Sequence, residues 1–360
     1  MTSFNIRNDD RNGVVQENLR PAKMYRGKKE NPSRAPLQCI TNANCGKKRT
    51  RDCSFDNYNG SGIEDHKIDE KCYEIVRNEN ALVSRYNKKE DAASEDTILL
   101  REYGKDIWKY LYAQEEKLYW PKPTYILKQQ QLTLAMRSTL IDWLVAVAHE
   151  YEMQEQTLYL CVNYIDRFLC TMSVTRDKFQ LLGAAAMMLA IKVEEVTALD
   201  AEEWAHLTGQ AYSSRQINRM EQLILNVLEF NLNPPTVIDF VKLICAKFRL
   251  DKKTLYLSMF LTELALLEGE GFLEYVPSKV AVASIVLSRY LLRRSNPYFL
   301  KLEISSGYKF EQIRPVILQQ HRTFKDSPTK ELRSIQNKYK MEQYQCVANV
   351  APIRLNFEEQ

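Results

Sequence analysis

The sequence predicts an all-α fold: two helical units of similar design behind a long polar N-terminal tail. Three observations lead there. After Gly62 glycine nearly disappears, with six in the remaining 298 residues. Beyond residue 98 apolar residues recur at helical spacing, while strand-like alternation is weak throughout. Two segments about a hundred residues apart, Leu181–Val193 and Ser278–Leu292, are apolar nearly all round and rich in small residues. A helix apolar on every side is buried on every side.

The tail comes first. Within residues 1–98, Leu, Ile, Val and Phe number 15, too few to build a core. All four tryptophans (Trp108, Trp120, Trp143, Trp204) follow it. Charge divides the tail. Residues 1–51 carry 12 Lys and Arg against 4 Asp and Glu, and residues 52–98 carry 6 against 12. Such asymmetry suits a tail read by other proteins, or plain solvation. The whole chain, 360 residues with a net charge of +4, is too nearly neutral to imply wholesale binding to nucleic acid or membrane. Met1–Arg20 lacks the apolar stretch of a secretory signal, and no apolar run reaches membrane length. The eight cysteines show no paired spacing and read as reduced thiols of the cytosol or nucleus.

The elements follow in order. Arg101–Glu115 reads as a helix with Tyr103, Ile107 and Tyr110 on one face. Leu134–Tyr151 places Leu140, Trp143, Leu144 and Val147 on one face, and Thr157–Leu169 does the same with Leu160, Tyr164, Ile165 and Phe168. Leu181–Val193 is the buried helix, and its Gly183, Ala184, Ala185 and Ala186 admit close neighbours. Gln216–Leu228 is amphipathic. Asn233-Pro234-Pro235 then ends the unit, because a residue before proline avoids helical geometry. The second unit runs Thr236–Phe248, Leu255–Leu267 and Ser278–Leu292. Two helical clusters around two small-residue helices suggest a duplication.

Catalytic chemistry is hard to find. Gly269-Glu270-Gly271 lacks a third glycine and follows no strand, so it reads as a turn. His149-Glu150 lacks the second histidine of a zinc-protease helix, and no C-x-x-C pair supports zinc. A helical core without a catalytic constellation favours a binding protein, with no cofactor and no metal.

Four blocks carry a resemblance. Met136–Val145, Asn163–Leu169, Leu189–Glu195 and Arg219-Met220-Glu221 stand in the order and spacing of a cyclin box. The chain resembles the cyclin family over about residues 99–350, and A-type mitotic cyclins in particular through Leu273–Ser278. The resemblance implies a tandem five-helix fold. A box with its preceding helix would occupy 99–234, a second 235–350, and a short tail 351–360. It further implies a non-catalytic subunit that forms a heterodimer with a cyclin-dependent kinase and activates it. The role would be to drive S phase and mitotic entry before ubiquitin–proteasome destruction in mitosis. The nucleus is the expected location, with a cytoplasmic pool, and neither nucleic acid nor membrane is a direct partner.

By the same resemblance Lys192 and Glu221 contact the kinase helix that bears its catalytic glutamate. From the residues alone, the preferred reading is that Lys192 complements the negative end of its own helix. Leu189, Val193, Leu225, Phe230 and Leu232 fall on the family's apolar interface, with Tyr103, Ile107 and Tyr110 from the preceding helix. For those three, packing on this protein's own core is the alternative, near even for Tyr103. Lys192 and Glu221 are expected near the surface. Arg137 and Asp166 read as a structural ion pair between core helices. Met136, Leu140, Trp143 and Gln180 match a groove for Arg-x-Leu peptides of kinase substrates and inhibitors, although apolar residues at this spacing are usually core. Thr139, Ala146 and Phe179 depart from the groove's pattern, and Ala146 stands where a carboxylate usually pairs with the peptide's basic residue.

The tail adds Lys29-Glu30-Asn31, a KEN-box form, and Arg34 to Asn42, which places Arg34, Leu37 and Asn42 in the destruction-box form R-x-x-L-x(4)-N. Together they point to a mitotic ubiquitin ligase as a further partner, docking extended peptide. Lys47–Arg51 is either an import signal or solvated charge. Three other readings compete: a transcription-factor-like protein of similar helical fold, a transcriptional cyclin, and a helical enzyme. The first wants a zinc ribbon or basic recognition face, the second does not need two mitotic degrons, and the third lacks a site.

Overall fold

The computed structural model describes residues 95–115, 117 and 121–355, without the side chains of 95–102. These residues form twelve α-helices and no β-strand. Helix α1 (Glu95–Glu115) precedes a first repeat of five: α2 (Leu134–Glu150), α3 (Glu155–Thr171), α4 (Phe179–Glu194), α5 (Ala201–Leu207) and α6 (Ser214–Val227). A second five follow: α7 (Val237–Lys247), α8 (Lys252–Glu268), α9 (Pro277–Leu291), α10 (Leu300–Ser306) and α11 (Phe310–Asp326). A short α12 (Ser334–Tyr339) then leads into an irregular strap ending at residue 355. The tail motifs, Lys29 to Asn42, lie outside the described residues.

Each repeat is built around its third helix. In α4 every residue from Leu181 to Ile191 is buried, with α3 and α6 as its main neighbours. A Cβ on Gly183 would lie 2.7 Å from Leu140 Cδ1, so only glycine lets α2 approach this closely. In the second repeat α9 is buried from Val280 to Ser288 between α7, α8 and α11. The all-apolar pattern thus marks the centre of each repeat, as the sequence predicts.

Local chemistry starts the helices. Asp200 and Ser213 form capping boxes with Glu203 and Gln216 at the heads of α5 and α6. Asp251 accepts from Thr254 N at 3.3 Å at the head of α8, and Pro277 opens α9.

Polar side chains join the repeats at helix ends. The last four carbonyls of a helix lack partners within it. Two of those in α8 are taken by α2: Arg137 Nη1 donates to Leu266 O at 2.9 Å, and Ser138 Oγ to Leu267 O at 2.9 Å. One turn on, Asp142 accepts from Ser334 N at 3.0 Å and Ser334 Oγ at 2.8 Å, capping α12. Helix α12 then sends Lys338 Nζ and Tyr339 Oη to Glu263 Oε1 of α8, at 2.6 and 2.7 Å. All three side chains are buried.

Helix α1 belongs to the second repeat by packing. Trp108 lies edge-on to Phe240 of α7, ring centres 5.2 Å apart. At its end Glu115 accepts from Ser278 N at 2.9 Å and Ser278 Oγ at 2.5 Å, placing a carboxylate at the positive head of α9.

Candidate functional site

Burial of α4 ends abruptly at its last turn. Ile191 is in the core, and Lys192 emerges beside α6, where its Nζ meets Glu221 Oε1 at 2.6 Å. The Lys192 side chain is 44% exposed and the Glu221 side chain 12%. The sequence expectation of two surface groups therefore needs correction: Glu221 is buried, because it faces α4 rather than solvent. It fixes the ammonium, which remains accessible.

The apolar residues that the resemblance assigns to the same interface differ in exposure. Val193, Leu225 and Leu232 are half-buried against the core. Leu189, at 4% exposure, is a core residue. Its expected contact with a partner is corrected to support from beneath, since it lies one turn before the point where α4 surfaces. Phe230 is the opposite case, 66% exposed with a left-handed backbone at φ 57°. Glu229 before it is also left-handed. Such geometry costs a bulky residue of order 1–3 kcal/mol and persists where the surroundings enforce it. Here α3 enforces it: Arg167 Nη1 donates to Asn231 O at 2.8 Å, and Tyr164 Oη to Leu232 O at 2.5 Å.

On α1, Tyr103, Ile107 and Tyr110 are 51%, 38% and 63% exposed. The alternative that they pack on this protein's own core does not hold, because Trp108 occupies the face toward α7. Tyr110, Leu111 and Gln114 line a cleft of about 200 Å³ with Glu194 at the end of α4 and Asn233 to Pro235 between the repeats. The exposed face of α1 and the end of α4 thus border one recess.

Sequence reasoning missed Val196, fully exposed just after α4. The preceding Glu195 is anchored to the head of α3, accepting from Thr157 Oγ1 at 2.6 Å and Gln154 N at 2.7 Å. A polar run after a helix gives no hint that one aliphatic residue will stand on a fixed base. Tyr164 and Arg167 were missed as supports because their acceptors are backbone atoms.

The groove residues separate. Met136, Trp143 and Gln180 are half-buried along α2 and the first turn of α4. Leu140 is 4% exposed and packs on Gly183, so its place in an open groove is corrected to the groove's floor. Thr139 Oγ1 donates to Ala135 O of its own helix at 2.9 Å, and Phe179 is buried.

Arg137 and Asp166 form a buried two-point ion pair, Nε–Oδ1 2.8 Å and Nη2–Oδ2 2.7 Å. Tyr125 Oη donates to Asp166 and accepts from Arg137 Nε. Burial and the Asp166 charge push the Tyr125 phenol far above its ordinary pKa, so it remains a donor. Burial works against the Arg137 charge, and Asp166 outweighs it.

Among the described residues no helix is long and apolar enough to cross a membrane. Two family models match, the cyclin N-terminal domain over residues 106–233 and the cyclin C-terminal domain over 235–353. Cyclin-A1 of Carassius auratus is 40% identical over 264 residues, covering 73% of this chain and 67% of its own. G2/mitotic-specific cyclin-A of Hydra viridissima is 39% identical, covering 74% and 63%, and Cyclin-A1 of Homo sapiens 38%, covering 75% and 58%. The chain therefore spans about two thirds or less of these curated relatives' length. An X-ray structure of a viral cyclin from herpesvirus saimiri shares the fold at a TM-score of 0.53 and 19% identity, over 60% of this chain and 97% of that one. With two adjoining domain models matched and this identity to relatives from several animals, the chain belongs to the cyclin A family, a family of non-catalytic regulatory subunits of cyclin-dependent kinases.

Proposed function

We propose that this chain activates its kinase by position alone, driving S phase and mitotic entry in the nucleus, with a cytoplasmic pool, until it is destroyed in mitosis. One observation carries the activating role. An accessible lysine, fixed by a buried carboxylate, lies two residues before Glu194, which borders a recess shared with α1, and Phe230 after α6 is exposed. Lysine donors can engage the carbonyl end of a partner helix, and the aromatic groups supply apolar anchors. A kinase helix held there would bring the kinase's own lysine–glutamate pair together, with no residue of this chain touching ATP. Val196 extends the apolar contact.

The half-buried Met136, Trp143 and Gln180 support docking of Arg-x-Leu substrates and inhibitors, with Leu140 as floor. The absence of a carboxylate at Ala146 weakens the grip on the peptide's arginine. Destruction rests on the Lys29–Asn31 and Arg34–Asn42 motifs, read by a mitotic ubiquitin ligase.

The test is purification of the tagged chain from dividing cells, identification of the bound kinase and assay of its activity. Tyr110→Ala with Phe230→Ala should cut binding and activity together, and intact activity in that variant would overturn the interface. Replacing Lys29, Glu30, Asn31, Arg34 and Leu37 with Ala should lengthen half-life through mitosis. An unaltered half-life would remove the degron reading and leave the kinase reading standing.

A further inference from the structure

One end of the second repeat gathers cations that the kinase-facing surface does not use. The carboxyl ends of α7 and α9 meet the amino end of α8 there, bringing together Lys247, Arg249, Lys252, Lys253, Arg293 and Arg294. Asp251 lies among them. Its carboxylate is engaged twice, capping α8 through Thr254 and bonding Arg294 Nη2 at 2.7 Å. Arg249, Lys252 and Arg293 are exposed and have no ion-pair partner among the described residues.

Cations at helix carboxyl ends complement the dipole, which accounts for Lys247, Arg293 and Arg294. It does not account for Lys252 and Lys253. They occupy the first turn of α8, where the same dipole disfavours positive charge. Burial, and then Lys105 approaching from α1, lower the Lys247 pKa.

An apolar strip adjoins the cations. Lys247 Nζ bonds Ser305 Oγ at 2.5 Å, which sets α10 beside this end. On α10, Leu300 and Ile304 are four residues apart, share a face and are 45% and 54% exposed. Glu303, half-buried, is the acid on that helix. The aromatic rings here are occupied: Phe248 and Phe299 meet edge-on at 5.0 Å, with Lys247 and Arg289 over them. Single-stranded nucleic acid would want free aromatic faces for its bases. Exposed aliphatics beside unpaired cations fit a polypeptide.

We propose that this end of the second repeat docks an acidic amphipathic peptide from a partner protein. Its carboxylates meet Arg249, Lys252 and Arg293, and two aliphatic side chains lie on Leu300 and Ile304.

The experiment is fluorescence anisotropy of a labelled peptide with the full chain. The probe is a glutamate-rich helix former with leucines at i and i+4. Binding should weaken as salt rises. The triple change Arg249→Glu, Lys252→Glu and Arg293→Glu should lower affinity about tenfold or more. Leu300→Ser with Ile304→Ser should lower it about threefold or more, as should a probe with serine for leucine. Kinase activation should be unchanged in all variants, which separates this site from the kinase interface. The milder Gln triple variant, checked for helix content, guards against misfolding and should also bind weakly. Undiminished binding by the folded triple variant overturns the proposal. So does an oligonucleotide of equal charge binding as tightly, or indifference to Leu300 and Ile304. Salt-sensitive self-association abolished by the triple variant would assign the surface to a second copy of the chain and overturn the proposal as well.

Discussion

Arg137 and Lys192 each hold a carboxylate 29 residues further along the chain, at 2.7 and 2.6 Å. Their surroundings set them apart. Arg137 is fully enclosed and also serves Tyr125 and Leu266 O. Arg137→Ala would strand Asp166 and should cost roughly 3–5 kcal/mol in a urea melt, because an unpaired buried charge is left behind. A loss below about 1 kcal/mol would mean the pair is not sealed from water. Lys192 is exposed enough to be hydrated without Glu221. Lys192→Ala with Glu221→Ala should therefore shift stability by about 1 kcal/mol or less while kinase affinity falls about tenfold or more. Equal kinase affinity by titration would sink the role given to that lysine. The Arg137–Asp166 pair was legible in the sequence, since two charges on predicted core helices must find each other. The unequal burial of Lys192 and Glu221 was not, because it depends on how α4 and α6 cross.

Helix α12 is six residues long, too short to persist alone. Asp142 caps it, and Lys338 and Tyr339 tie it to Glu263. Burial opposes the Lys338 charge, but the charge and hydrogen bond of Glu263 outweigh it and hold the pKa above the ordinary lysine value. A group whose folded pKa is raised contributes fully below its unfolded value, about 10.4, and loses that contribution as pH climbs through the folded value. Burial and Glu263 also raise the Tyr339 pKa, so its phenol resists ionisation over the same range. Stability should accordingly fall above about pH 10, and hydrogen exchange should show α12 releasing first. Lys338→Met should remove part of that alkaline slope, and an unchanged slope would contradict it. None of this strap was legible. Ser334–Tyr339 has no long apolar period, and the partners of Ser334, Lys338 and Tyr339 lie 75 to 192 residues away. Helix α11 (Phe310–Asp326), with Pro315 inside it, was not read from its residues, whereas eight of the long helices were legible to within six residues. Their stops were blurred because Glu152, Arg249 and Arg293, rather than glycine, take the left-handed positions after α2, α7 and α9.

Across the whole molecule, the two repeats share helix caps as well as apolar contact. A chain from residue 95 to 355 should therefore unfold in one cooperative transition, with circular dichroism and tryptophan fluorescence coinciding. Two separated transitions would show that the repeats are independent. That same fragment should activate the kinase, since the face on α1, α4 and α6 lies within it. The repeated helical design was visible in the sequence through its two small-residue helices. The fastening of one copy to the other was not, because side chain to backbone bonds leave no periodic trace.

Helix α2 is thus read twice. Its inward face is spelled for its own repeat, while Arg137, Ser138 and Asp142 punctuate helices 129 to 192 residues downstream. A text with two readers tolerates few misprints, since a letter neutral to one is an error to the other. Drift in the second repeat is likewise constrained wherever it must match that punctuation. At Gly269, whose φ is 68°, any Cβ would both strain the backbone and run into the Arg137 guanidinium, so that position is held as glycine. The two halves are in this sense unequal: one carries the full stops for both.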